Sequence, residues 1–189
     1  MDKAIINNNE GVQRSKFTRF DTKAMVGAVI LGVVFVLVQQ IAHRIDAVIN
    51  PACVIIGGVT WATFTGLTVL LFRQPAGIIT AEVQAFVSVA TGLSPLAVFF
   101  IPANGLASLG YSVVAWKLSM DKWSHHILAQ TVSNVVGNIC VGIGLYVILG
   151  LPIPVVLVSS AITTVAGIIG GTILTKKIYE SVKKSGVLR

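Results

Sequence analysis

The feature that most constrains this chain is a series of long apolar runs separated by short polar gaps. A helix that spans a bilayer needs about 20 apolar residues at a rise of about 1.5 Å each. Runs of about that length follow a polar tail over residues 1–23. We therefore predict an all-α integral membrane protein in which residues 24–175 form a bundle of six transmembrane helices. The predicted spans cover residues 24–42, 52–72, 76–91, 96–116, 127–149 and 155–175.

The composition excludes most soluble classes of protein. Only 11% of the residues are charged, less than half of the roughly 25% that is typical of a soluble domain. An ordinary soluble enzyme, a disordered protein and a nucleic-acid-binding protein are therefore excluded. The chain has no Walker A motif and no paired catalytic groups, so we predict no enzyme activity. Cys53 and Cys140 lie in apolar runs without metal-ligand spacing, and we expect neither a metal site nor a cofactor.

The positive charges predict the orientation in the cell membrane. When the gaps are assigned alternately to two sides, the side of the N-terminus holds all but one of the 14 Lys and Arg residues. The exception is Arg44. Basic residues favour the cytoplasmic side, so we expect both termini, including the basic tail 176–189, in the cytoplasm.

Glu82 is the single acid inside an apolar run. An ionisable group at membrane depth is costly and indicates a functional site. One interpretation is that Glu82 lines a polar cavity and receives a cationic or NH-rich ligand. The other is that it lies near the cytoplasmic headgroups, because it follows Arg73 closely in the sequence.

Polar and aromatic side chains with helical spacing complete the predicted site. Trp61 is expected near the midplane, and the amides of the fifth run follow one another at every fourth residue. For Asn134 and Asn138, hydrogen bonding between helices is an equal alternative to ligand contact. Such a set suits a small planar polar molecule. The candidate substrate-binding residues are Glu82, Trp61, Asn104, Tyr111, Asn134, Asn138 and Gln40.

Small residues recur along the first run. Ala24, Ala28 and Gly32 stand four residues apart and share one helical face. Small residues at this spacing let helices approach closely. The stripe therefore predicts either packing within the bundle or an outer face that docks another membrane protein.

These features together resemble the S component of an energy-coupling factor (ECF) vitamin transporter. The resemblance rests on six runs, cytoplasmic termini, the small-residue stripe and the lack of an ATPase motif. The turn Arg73-Gln74-Pro75-Ala76-Gly77, then Glu82 and Thr91-Gly92-Leu93-Ser94-Pro95, resembles the YkoE-type family for thiamine and its hydroxymethylpyrimidine precursor.

The resemblance implies a high-affinity substrate-binding subunit of an ABC-type importer. Its partners would be a transmembrane coupling subunit and two cytoplasmic ATPases, and toppling in the bilayer would release the vitamin inside. Ala24, Ala28 and Gly32 would form the face for the coupling subunit. The alternatives are another vitamin, such as pyridoxine or riboflavin, or a membrane scaffold that transports nothing. An anionic vitamin fits poorly because the runs contain no Lys or Arg.

Overall fold

The computed structural model describes residues 17–49 and 53–186, and within these ranges the chain forms six helices. The all-helical prediction is therefore confirmed for this part of the chain. The first 16 residues of the predicted N-terminal tail lie outside the described ranges. The helices are α1 (Thr22–Ile49), α2 (Ile56–Phe72), α3 (Ala76–Ala90), α4 (Ala97–Lys117), α5 (Trp123–Val147) and α6 (Ile153–Lys184).

Four of the helices are long and apolar enough to cross a bilayer, namely α1, α4, α5 and α6. Helices α2 and α3 have 17 and 15 residues and reach about 25 and 22 Å at 1.5 Å per residue. The turn between them sets these lengths. Arg73 has a φ of 66° and ends α2, and α3 begins directly after Pro75. The four long apolar helices indicate a multi-pass membrane protein. That α2 and α3 also cross the whole bilayer stays a prediction.

Two helices run past the ends of their apolar runs. Helix α1 continues to Ile49 through Asp46, whose buried carboxylate accepts hydrogen bonds from the start of α2. Helix α6 continues to Lys184, so most of the predicted basic tail 176–189 is helical. Lys176 is buried. Its Nζ donates to Asp121 O at 2.8 Å and pairs with Glu180, and these contacts offset the cost of burying the charge.

Helix α2 is the centre of the packing. It contacts each of the other five helices, and around it α1, α3, α4, α5 and α6 pack in that order, each on the next. Bare glycine backbones allow the close approach of α2 to α6. A Cβ at Gly171 would lie 2.5 Å from Ala62 Cβ, and one at Gly66 would lie 2.8 Å from Thr175 Cγ2.

The small-residue stripe of α1 faces inward, against α3. Ala24 and Ala28 are 1% and 0% exposed, and the Ala28 carbonyl accepts a hydrogen bond of 2.8 Å from Thr80 Oγ1. A Cβ at Gly32 would lie 2.8 Å from Val83 Cβ. In the isolated chain α3 thus covers Ala24, Ala28 and Gly32, and a docking role for these residues stays a prediction. Of the two interpretations of the stripe, the structure favours packing within the bundle.

The turn motif around Gln74 ties three parts of the chain together. Gln74 is buried, and its Nε2 donates to Ser112 Oγ at 2.7 Å and to Ser108 Oγ at 3.1 Å on α4. Its carbonyl accepts from Arg19 N at 2.8 Å, which holds the segment before α1. A Cβ at Gly77 would lie 2.8 Å from Ser108 Oγ, so a side chain at this position would displace Ser108. The motif therefore has a packing role at the end of the bundle that holds the described chain ends.

Candidate ligand-binding site

A cavity of about 420 Å³ lies at the opposite end of the bundle, and all six helices contribute to its wall. Its size falls within the range of about 300–1,000 Å³ for small-molecule sites. The wall is formed by the ends of α1, α3 and α5 and the starts of α2, α4 and α6. Its polar lining is rich in amides and hydroxyls, including Gln39, Gln84, Asn104, Asn138, Ser160 and Thr163.

Trp61 and Asn104 form the centre of the cavity wall. Trp61 Nε1 donates a hydrogen bond of 2.6 Å to Asn104 Oδ1. Asn104 Nδ2 in turn donates to Ala81 O and to Gln84 Oε1, both at 2.7 Å. Gln84 Nε2 continues the network to Ser88 Oγ at 2.9 Å. The network joins α2, α3 and α4, and it brings two of the predicted site residues, Trp61 and Asn104, into direct contact.

The indole of Trp61 also lies against α5. A Cβ at Gly137 would lie 2.5 Å from Trp61 Cη2 and 3.5 Å from Ala107 Cβ. Because Gly137 has no side chain, the ring fits against the α5 backbone. The hydrogen bond to Asn104 and the gap at Gly137 therefore set the orientation of the ring that lines the cavity.

Helix α1 contributes Gln39 rather than the predicted Gln40. Gln39 Nε2 donates to Gly57 O at 3.1 Å, and its Oε1 accepts from Thr60 Oγ1 at 2.7 Å. Gln40 does not line the cavity, because consecutive helical residues point about 100° apart. His43 lies one turn further along and stacks on Phe100 at 6.4 Å between ring centroids. His43 and Phe100 give the cavity an aromatic wall beside Trp61.

Asp46 is a cavity-lining acid that the sequence analysis missed. Its Oδ1 accepts from Ile56 N at 2.8 Å and its Oδ2 from Gly57 N at 2.7 Å. The carboxylate thus caps the start of α2, where unpaired N–H groups favour negative charge. The acid at position 46 could have indicated a site, but it follows His43 and Arg44, and this polar cluster predicted the end of the membrane span. The residue lines the cavity and is only 4% exposed.

The amide stripe of α5 splits between two roles. Asn138 lines the cavity, and its Nδ2 donates to Asn134 O at 3.0 Å. Asn134 is buried beyond the cavity, where its Nδ2 donates to Gln130 O at 2.9 Å. A Cβ at Gly167 would lie 2.1 Å from Asn134 Oδ1. Of the two alternatives for Asn134, these contacts favour packing between α5 and α6 over ligand contact.

Tyr111, another predicted site residue, does not line the cavity. It follows Asn104 by about 10 Å along α4 at 1.5 Å per residue. It is fully buried in an apolar cluster with Val69 and Met120, and its hydroxyl lies 3.5 Å from His126 Nδ1. Asn104 and Tyr111 share a helical face at a spacing of seven residues, but they lie at different depths.

Glu82, the expected ligand-binding charge, does not line the cavity either. Its side chain points about 200° away from that of Gln84 on the same helix, because each residue turns about 100°. It lies against α4, where a Cβ at Gly105 would lie 2.8 Å from Glu82 Oε1. The structure therefore places Glu82 outside the lining of this cavity and does not bring it together with Trp61 and Asn104.

The electrostatic character of the cavity follows from its lining. Among residues 17–49 and 53–186, no Lys or Arg lines it, and its formal negative charge comes from Asp46. The amides and hydroxyls supply both donors and acceptors, and Trp61 and Phe100 supply ring faces. Such a lining suits a planar, polar ligand that is neutral or positively charged.

Comparison with known proteins gives a match at the level of fold. No protein-family model matches the chain, and no curated protein matches its sequence. Among solved structures, the chain is similar to one described as the crystal structure of an S-component of an ECF transporter. The TM-score is 0.64 at 21% sequence identity, over 90% of this chain and 89% of that chain. The chain shares the fold of that S component. The more specific likeness to the thiamine-related family is not part of this match.

Proposed function

We propose that the chain is the substrate-binding S component of an ECF-type importer. The observation that carries the proposal is the amide- and aromatic-lined cavity at the end of the bundle opposite the described chain ends. Its presence within the fold of a solved S component supports the same role here. The cavity would bind its substrate at the outer surface, and the chain itself would catalyse no reaction.

The proposed substrate is thiamine or its hydroxymethylpyrimidine precursor. A pyrimidine offers a flat face for Trp61, and its ring nitrogens and amino group match amide donors and acceptors such as Asn104 and Asn138. The positive charge of thiamine is compatible with a lining that includes Asp46 and, in the described residues, no basic side chain. An anionic vitamin lacks a counter-charge in such a site.

The proposed partners are a transmembrane coupling subunit and two cytoplasmic ATPases. The chain would lie in the cell membrane with six spans and both termini in the cytoplasm. The concentration of Lys and Arg at the end of the bundle opposite the cavity supports this orientation. Hydrolysis of ATP by the partners would supply the energy for import.

Ligand binding in detergent tests the proposal. We expect thiamine or hydroxymethylpyrimidine to quench the tryptophan fluorescence of the purified chain with a Kd of about 1 μM or lower, equivalent to about −8 kcal/mol. Pyridoxine and riboflavin serve as competing vitamins, and biotin serves as an anionic control. Mass spectrometry of small molecules that co-purify with the chain provides an independent readout. Tight binding of biotin alone, or of no vitamin in this set, would contradict the proposed substrate class.

A further inference from the structure

Glu82 is an acid on the outer flank of the bundle without a partner in the described chain. Its Oε2 is buried and accepts no hydrogen bond within residues 17–49 and 53–186. The residue lies near the middle of α3, about 9 Å along the helix axis from the start of α3 at Ala76, and Arg73 lies beyond that start. Lys117 lies about 18 Å from Gly105 along α4. The basic residues nearest in sequence thus lie too far away to pair with this carboxylate.

The surface around Glu82 is apolar and uncovered. On α3, Phe86 is 59% exposed, and on α4, Leu106 is 47% exposed. Helices α3 and α4 pack on each other and on α2, and no fourth helix in the described ranges packs on both of them. We call the surface formed by Glu82, Phe86, Gly105 and Leu106 the α3–α4 face.

Gly105 gives the carboxylate a recess on this face. A Cβ at this position would lie 2.8 Å from Glu82 Oε1. Because Gly105 has no side chain, the Glu82 carboxylate lies close to the α4 backbone between α3 and α4. Another helix can therefore approach this surface closely. Because an unpaired acid in the hydrocarbon region is costly, a donor from outside the chain would lower its free energy.

We propose that the α3–α4 face docks a transmembrane helix that presents a lysine or arginine side chain to Glu82. The charge of the acid and its lack of a basic partner in the described chain select this chemistry over a purely apolar partner. Glu82 therefore acts in assembly rather than in substrate recognition. The inference rests on the proposed function in one respect, since it takes the partner helix to belong to the coupling subunit.

The test compares assembly with ligand binding for Glu82→Gln, which keeps the side-chain shape. The labelled chain in lipid nanodiscs is titrated with the purified complex of coupling subunit and ATPases, and thiamine binding is measured separately in detergent. We expect the affinity for the complex to fall about three- to twentyfold, the range for one interhelical hydrogen bond. Thiamine binding should stay within about twofold, because Glu82 lies outside the cavity. Thr131→Val, which removes a polar group from the flank of α5, should change neither.

Two further variants extend the test. Gly105→Ala should displace the flexible end of Glu82 from its recess and also weaken assembly, while the melting temperature confirms folding. Glu82→Lys should abolish assembly, and a lysine- or arginine-to-glutamate change in the partner helix should restore it. Unchanged assembly of Glu82→Gln and Gly105→Ala would overturn the inference, and so would a loss of thiamine binding with assembly intact. Absence of thiamine binding in the unmodified chain would instead contradict the proposed substrate, because assembly is measured without it.

Discussion

Trp61 and Asn104 are joined by a hydrogen bond of 2.6 Å from the indole Nε1 to the amide Oδ1. The bond links α2 to α4, and the same amide donates to two acceptors on α3. The side chain that holds the ring is thus itself held by a third helix. The cavity wall is preorganised, which reduces the conformational entropy that the protein side chains lose when a ligand binds.

Replacing Asn104 by leucine should weaken ligand binding and destabilise the protein together. The change leaves Trp61 Nε1, Ala81 O and Gln84 Oε1 without their partner, and each buried unsatisfied group costs about 1–3 kcal/mol. We expect a lower melting temperature and a loss of ligand affinity of at least about tenfold, or 1.4 kcal/mol. Asn138→Leu is the control, because its amide donates to a carbonyl of its own helix. It should weaken binding with little loss of stability. Unchanged affinity in Asn104→Leu would contradict the assigned role.

Adding a methyl group at Gly137 should move Trp61. The new Cβ would lie 2.5 Å from Cη2, so the ring must shift toward the cavity. We expect a changed Trp61 emission spectrum in a Trp116→Phe, Trp123→Phe background, measured without ligand. Thiamine, which has two rings, should lose more affinity than hydroxymethylpyrimidine. Gly142→Ala on the same helix is the control, since its Cβ would approach Ser160 Oγ to 3.3 Å only. Equal effects of the two alanine variants would contradict the prediction.

Neighbouring glutamines on α1 should respond differently to substitution. Gln39→Leu removes hydrogen bonds to Gly57 O and Thr60 Oγ1 at the cavity, at a cost of about 1–3 kcal/mol. We expect lower ligand affinity and a lower melting temperature. Gln40→Leu should leave both within experimental error, because its side chain lies off the cavity. Fluorescence titration and thermal unfolding of the pair measure the difference, and a larger effect at Gln40 would refute this assignment.

Enlarging Ala28 should overpack the contact between α1 and α3. The residue is fully buried, and overpacking typically costs about 1–3 kcal/mol. We expect Ala28→Leu to lower the melting temperature and ligand affinity of the isolated chain. Val29→Leu is the matched control, because the adjacent Val29 is 47% exposed. If Ala28→Leu bound ligand normally and failed only in assembly with a coupling subunit, the stripe would be a docking face instead.

The helical architecture was predictable because apolar length and turn residues are local properties. The runs located all six helices, and the turn at Arg73-Gln74-Pro75 separated α2 from α3. The end of α1 was predicted too early, because His43 and Asp46 indicated an exit from the membrane. Inside the bundle, His43 Nε2 lies 3.2 Å from Gln39 Nε2, and the Asp46 carboxylate accepts from the start of α2. Such satisfaction depends on tertiary contacts that no local pattern contains.

The site was predictable by residue type more than by position. Trp61, Asn104 and Asn138 line the cavity, and their contact with a substrate stays a prediction. The sequence analysis predicted Gln40 and missed Gln39, because hydropathy alone does not fix the rotation of an apolar helix. Glu82 was selected because it is charged at membrane depth, but charge does not show which flank of α3 faces the ligand. Sequence periodicity shows which residues share one face of a helix. The depth of a residue in the membrane and the rotation of its helix are set by packing against the other helices.

The contacts of α2 with all five other helices have a mechanical consequence. Trp61 at the cavity and Gly66 nearer the other end belong to the same helix, so any tilt of α2 on ligand binding would change its contacts with all five neighbours. Ligand binding in the cavity and the contact of Gly66 with Thr175 and Gln130 would then be coupled through the position of α2. Such coupling would be reciprocal. A substitution that loosens this remote contact would change the ligand affinity, and the ligand would change the stability of the contact by the same free energy.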